Sequence, residues 1–80
     1  MDKFEQQLKV LIKYVQECLC PGAFVMYQPE FITIAYFDGN GGLNVLADVK
    51  QTNDTLYTFS QLYTQINEKL RLKREFGHEM

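Results

Sequence analysis

What this chain has little of narrows its function first. No uninterrupted apolar stretch reaches the length that a membrane-crossing helix needs, and the N-terminal MDKFEQQLKVLIKYVQ carries charges throughout, unlike a secretory signal. A soluble, cytoplasmic protein is expected. The formal net charge of -2 is too small to mark either a nucleic-acid mimic or a polyanion binder from the global balance. Only two cysteines occur, Cys18 and Cys20. Two apart at the end of a helix, their side chains diverge around the axis, and the spacing is not that of a Cys-x-x-Cys redox or zinc site. The single histidine, His78, stands near the C-terminus. Cysteine–histidine chemistry would require that tail to fold back into a pocket, and the acidic residues show no catalytic pairing. Neither an enzyme nor a bound metal or cofactor is expected.

What is present reads as one domain over residues 1–80. At 46% apolar and 22% charged residues the composition is that of a folding chain with a single small core. Phe4, Leu8, Leu11, Ile12, Val15 and Leu19 form an apolar stripe at helical spacing, opposite Glu5, Gln6, Lys9, Lys13, Gln16 and Glu17. The mixed signs on the polar face favour core packing over membrane binding. Cys20-Pro21-Gly22 ends this helix. A short β-rich run and the Gln28-Pro29-Glu30 turn follow, then FITIAYFD and LNVLADVK around a glycine-rich turn. Leu56, Phe59, Leu62, Tyr63, Ile66 and Leu70 line one face of a second helix.

The expected fold is therefore α+β: a helix at about 3–19, an antiparallel three-stranded meander at about 23–27, 31–38 and 43–50, and a helix at about 55–76. Both helices cover one face of the sheet, and the first strand is an edge. Two starts of the second helix are open, and in the earlier one Asp54 or Thr55 would serve as the N-cap. A later start, with Thr58 and Gln61 as a capping box, would free residues 55–57 to add a short fourth strand. The helix should end near Phe76 and Gly77, with residues 78–80 frayed.

Register decides which side chains look outward. With Asn40-Gly41 at the centre of a type I′ turn, Phe37 pairs with Asn44, Tyr36 with Val45, Ile34 with Ala47 and Ile32 with Val49. Ile32, Ile34, Tyr36, Leu43, Val45, Ala47 and Val49 then share the core face. A five-residue loop, Asp38 to Gly42, would pair Phe37 with Leu43 and mix polar with apolar residues, so the first register is preferred. It leaves Phe31, Thr33, Ala35, Phe37, Asn44, Leu46, Asp48 and Lys50 on the outer face. Phe31, Phe37 and Leu46 there ask for a partner, with Thr33, Asp48 and Lys50 beside them. The Asp38-Gly39-Asn40-Gly41-Gly42 loop itself fits turn geometry better than an ion site. An EF-hand needs an oxygen ligand where Gly42 stands, and a phosphate loop needs a lysine and a helix.

A second candidate surface is the basic end of the last helix, where Lys69, Arg71, Lys73 and Arg74 fall within six residues. These cations complement the helix dipole and could also contact phosphate or an acidic protein. The helix, three-strand, helix order resembles the topology of the double-stranded RNA-binding domain over almost the whole chain. That family holds phosphate with lysines at the start of its second helix; here the matching Thr55-Leu56-Tyr57-Thr58-Phe59-Ser60-Gln61 contains no cation, so no functional residue transfers. The expected function is that of a non-enzymatic module binding a larger protein, or a second copy, through the outer sheet face. Small stand-alone domains of phages and mobile elements that inhibit host machinery, anti-CRISPR proteins among them, supply the class analogy. Nucleic-acid binding through the basic helix end is the alternative.

Overall fold

A computed structural model describes residues 3–76, and the expected positions of Gly77 and of residues 78–80, His78 included, lie outside them. The order is α1 (Lys3–Cys18), β1 (Phe24–Tyr27), β2 (Phe31–Phe37), β3 (Leu43–Lys50) and α2 (Thr55–Phe76). The strands form one antiparallel sheet in the order β1-β2-β3, so β1 is an edge and the topology is the expected one. No described helix is long and apolar enough to cross a membrane.

The helical stripes become a core as the spacing requires. Leu11 and Val15 from α1 meet Phe59, Leu62, Ile66 and Leu70 from α2 over Ile32, Ile34, Ala47 and Val49 of the sheet. Both helices therefore cover the same sheet face. Aromatic side chains join the helices at their flanks: Phe4 lies 5.3 Å from Phe59, and Tyr14 donates to Asn67 Oδ1 at 2.9 Å. Helix α1 ends where Leu19 and Cys20 both donate to the Val15 carbonyl, one turn before Pro21 can no longer continue it.

Helix α2 begins at Thr55 because Asp54 is the N-cap: its Oδ1 accepts the Tyr57 N–H at 3.1 Å. Thr58 does not form the alternative capping box. Its hydroxyl is buried and donates to the Asp54 carbonyl at 3.1 Å, while Thr52 approaches it from the preceding loop. Residues 55–57 are thus helical, and they add no fourth strand.

The hairpin corrects the expected register over half its length. Ile32 pairs with Val49 and Ile34 with Ala47 as anticipated, but Ala35 pairs with Val45, Tyr36 with Asn44 and Phe37 with Leu43. A bulge between Ile34 and Ala35 absorbs the difference, leaving Leu46 as the extra residue of β3. The turn causes it. Asp38 closes a five-residue loop by donating its N–H to the Gly42 carbonyl at 2.9 Å, and its Oδ1 accepts the N–H groups of Asn40 and Gly42. Gly41 takes a φ of 83°, a left-handed conformation that glycine adopts without steric cost. This aspartate-centred loop displaces the type I′ turn, and the bulge then restores the parity that brings Ala47 and Val49 to the core.

Candidate functional site: the open face of the sheet

The bulge re-sorts the residues on the outer face. Leu46, expected outward, is only 3% exposed and belongs to the core, because the extra residue turns it toward the helices. Leu43 and Val45, expected inward, pair with Phe37 and Ala35 and stand 47% and 48% exposed. Tyr36 keeps its expected place against the core, and its partner Asn44 follows it to that side.

Strand β1 adds what the hairpin reading did not include. Phe24 pairs with Ala35 and Met26 with Thr33, so both share the outer face. The Phe24 and Phe37 rings stack at 5.4 Å across the strands. Ala35 is fully buried yet stands outside the core cluster. It forms a floor beneath Phe24 and Phe37 on one side and Val45 on the other. Phe37 is 62% exposed and Phe31 38%, both on this face as expected.

Polar groups mark the far end of the patch. Thr33 donates its hydroxyl to Asp48 Oδ1 at 2.8 Å, and Lys50 pairs with Phe31 at the strand end. The face therefore runs from an apolar half around Phe24, Phe37, Leu43 and Val45 to a rim of Thr33, Asp48 and Lys50. Of the six side chains expected to carry this surface, the fold gathers Phe31, Thr33, Phe37, Asp48 and Lys50 and removes Leu46.

The turn beside this face has its carboxylate occupied. Asp38 Oδ1 accepts two backbone N–H groups and Oδ2 accepts Asn44 Nδ2 at 3.0 Å. These hydrogen bonds, the Asn44 one foremost, hold the Asp38 carboxyl below its ordinary range.

The basic end of α2 is largely engaged inside the molecule. Arg71 forms ion pairs with Glu68 and, at 2.9 Å, with Glu75. Its hydrogen bond to Glu68 lowers the glutamate pKa and raises its own. Lys73 reaches back to α1, donating from Nζ to the carbonyls of Cys18 and Leu19 at 3.4 and 3.3 Å. It thus caps the carbonyl end of another helix. Lys69 is half-buried and Arg74 is exposed, so the four cations do not form a free cluster.

Among the described residues Cys18 and Cys20 are unbridged thiols and no group of acidic, cysteine or histidine side chains has the geometry of a metal site. Comparison with protein-family models, curated proteins and solved structures gives no match.

Proposed function

We propose that this protein is a binding module that docks on a larger protein through the outer face of its sheet. The observation that carries the reading is the apolar half of that face, where Phe24, Phe37, Leu43 and Val45 surround a buried Ala35 on the side that neither helix covers. A two-layer fold covers only one face of its sheet, and monomeric proteins ordinarily keep contiguous apolar surface small. Fully burying one such side chain contributes about 1.5–3 kcal/mol, so covering the exposed parts of four supplies several kcal/mol toward association. Thr33, Asp48 and Lys50 form the polar rim that orients a partner. Occupying a surface on a larger assembly, as small inhibitors from phages and mobile elements do, is a mode of action open to such a module.

The test is affinity capture with the wild type beside a Phe37→Ser, Val45→Ser variant. A partner retained by the wild type and lost by the variant supports the reading. Equal recovery from both sinks the proposed face. Light scattering over a wide concentration range separates the two kinds of partner, since a second copy would give a dimer that Phe37→Ser dissociates.

A further inference from the structure

The two edges of the sheet are finished differently. On β3 the outward backbone of Asp48 is closed from within: its N–H donates to Gln65 Oε1 at 2.9 Å, and its carbonyl accepts Gln65 Nε2 at 3.3 Å. The side-chain amide of α2 stands in for a neighbouring strand there. On β1 the direction of each backbone group follows from the turn. Gln28 donates to the Phe31 carbonyl, so Gln28, Met26 and Phe24 point toward β2, and Ala23, Val25 and Tyr27 point away. Gln16 confirms the alternation, because its Nε2 donates to the Ala23 carbonyl at 2.9 Å. It serves only that position. The outward N–H and C=O of Val25 and Tyr27 have no partner among the described residues.

These groups border a groove between α1 and β1 of about 370 Å³, walled by Leu8 and Ile12 on the helix, by Phe24 and Val25 on the strand and by Ala23 just before it, with Glu5, Lys9 and Gln16 at its rim. We propose that this groove binds an extended peptide segment of a partner protein, which pairs antiparallel with β1 as a fourth strand. Two residues of the peptide, one removed from each other, face Val25 and Tyr27 and each exchange two hydrogen bonds with them. Their side chains point to the same sheet face as Val25, toward Leu8 and Ile12, and are apolar. The residue between them lies beside Met26 on the outer face and is unrestricted. The ligand is therefore an apolar-any-apolar sequence in extended form. A second copy fits less well, since its β1 arrives with its own α1 over the same edge, whereas a bare strand enters a groove already roofed by one helix. The groove opens on the helix side of the sheet and meets the apolar outer face at Phe24.

The probe is a capped decapeptide of alternating valine and threonine, flanked by lysines for solubility, titrated into isotope-labelled protein. Amide hydrogen exchange and chemical shifts are followed residue by residue. The proposal expects saturable binding below about 1 mM and exchange at the Val25 and Tyr27 amides slowed about tenfold or more. Val45→Ser, on β3 and away from the groove, should bind equally well. Val25→Pro should not bind, since it deletes an outward N–H that the sheet itself does not use. Should Val25→Pro fail to fold, the two wild-type amides decide alone. No slowing at Val25 and Tyr27, or slowing confined to β3, overturns the proposal. So does protection of both amides without peptide in a particle of twice the mass, which would assign the edge to a second copy.

Discussion

At the residue scale, the side chain with the widest consequences is Asp38, because its carboxylate organises the loop that sets the hairpin register. Its pKa is held below the ordinary value, principally by Asn44 and then by the backbone of Gly42 and Asn40. A depressed folded-state pKa means that the contribution is fully present above the ordinary aspartate range and is lost as pH falls through the folded value. Acid should therefore loosen this loop below the ordinary carboxylate range, and a pH titration of the Asn40 and Gly42 amide resonances checks it. Shifts that follow an unperturbed aspartate would contradict the assignment. The neighbouring glycines make a second, independent expectation. Gly41→Ala places a side chain at a φ of 83° and should cost about 1–2 kcal/mol in urea unfolding. Gly42→Ala acts by another route, since its Cβ would stand 2.9 Å from Asp38 Oδ2 and push the carboxylate off the loop. Asp54 offers a control far from the hairpin: losing its cap on Tyr57 in Asp54→Ala should cost about 1 kcal/mol and leave the loop titration unchanged.

At the element scale, the bulge exchanges the faces of Val45 and Leu46: the regular type I′ register would turn Val45 to the core and Leu46 outward, and the structure has the reverse. Leu46→Ser removes a core side chain and leaves a hydroxyl in its place, so it should destabilise the fold by about 2–4 kcal/mol. Val45→Ser, one residue away and half exposed, should change stability by less than about 0.5 kcal/mol. Urea titration of the pair gives the answer, and the reverse order would restore the regular type I′ register. The helices were legible in the sequence because a stripe such as Leu11 and Val15, or Leu62 and Ile66, repeats with the period of the structure it builds. The strands were legible too, and five of the six outer-face residues followed from alternation alone. Leu46 was not, because one extra residue flips everything on its turn side, and that residue is demanded by hydrogen bonds of Asp38 that alternation does not encode. Phe24 escaped for a different reason: its place beside Phe37 depends on how β1 pairs with β2, which the hairpin's own turn does not determine. The ends of α2 show the same division, with the helix span set by periodicity and the role of Lys73 set by where α1 happens to finish.

At the scale of the whole molecule, the distribution of charge bears on the proposal that the partner is a protein and not a nucleic acid. Counterion release rewards a protein for each phosphate that a free cation neutralises, and the strength of non-specific binding follows the number of such contacts. Here the chain carries a net charge of -2, and half of its basic run is engaged internally. Arg71 lies between two glutamates and Lys73 closes the end of α1, which leaves Lys69 and Arg74 of that run for an outside phosphate. Two contacts give a slope of only about -2 in log affinity against log salt, against the six to ten contacts of ordinary duplex binders. The start of α2, where the double-stranded RNA-binding domain places its lysines, presents Asp54 as a cap and no cation through Gln61. Titration of labelled duplex RNA, duplex DNA and single strands should accordingly show no saturable binding below about 100 µM at moderate salt. Saturable, salt-sensitive binding that falls when Lys69 and Arg74 are changed to alanine would reverse this conclusion. It would also move the interaction from the apolar sheet face to the far end of α2, so the one titration discriminates between these two surfaces.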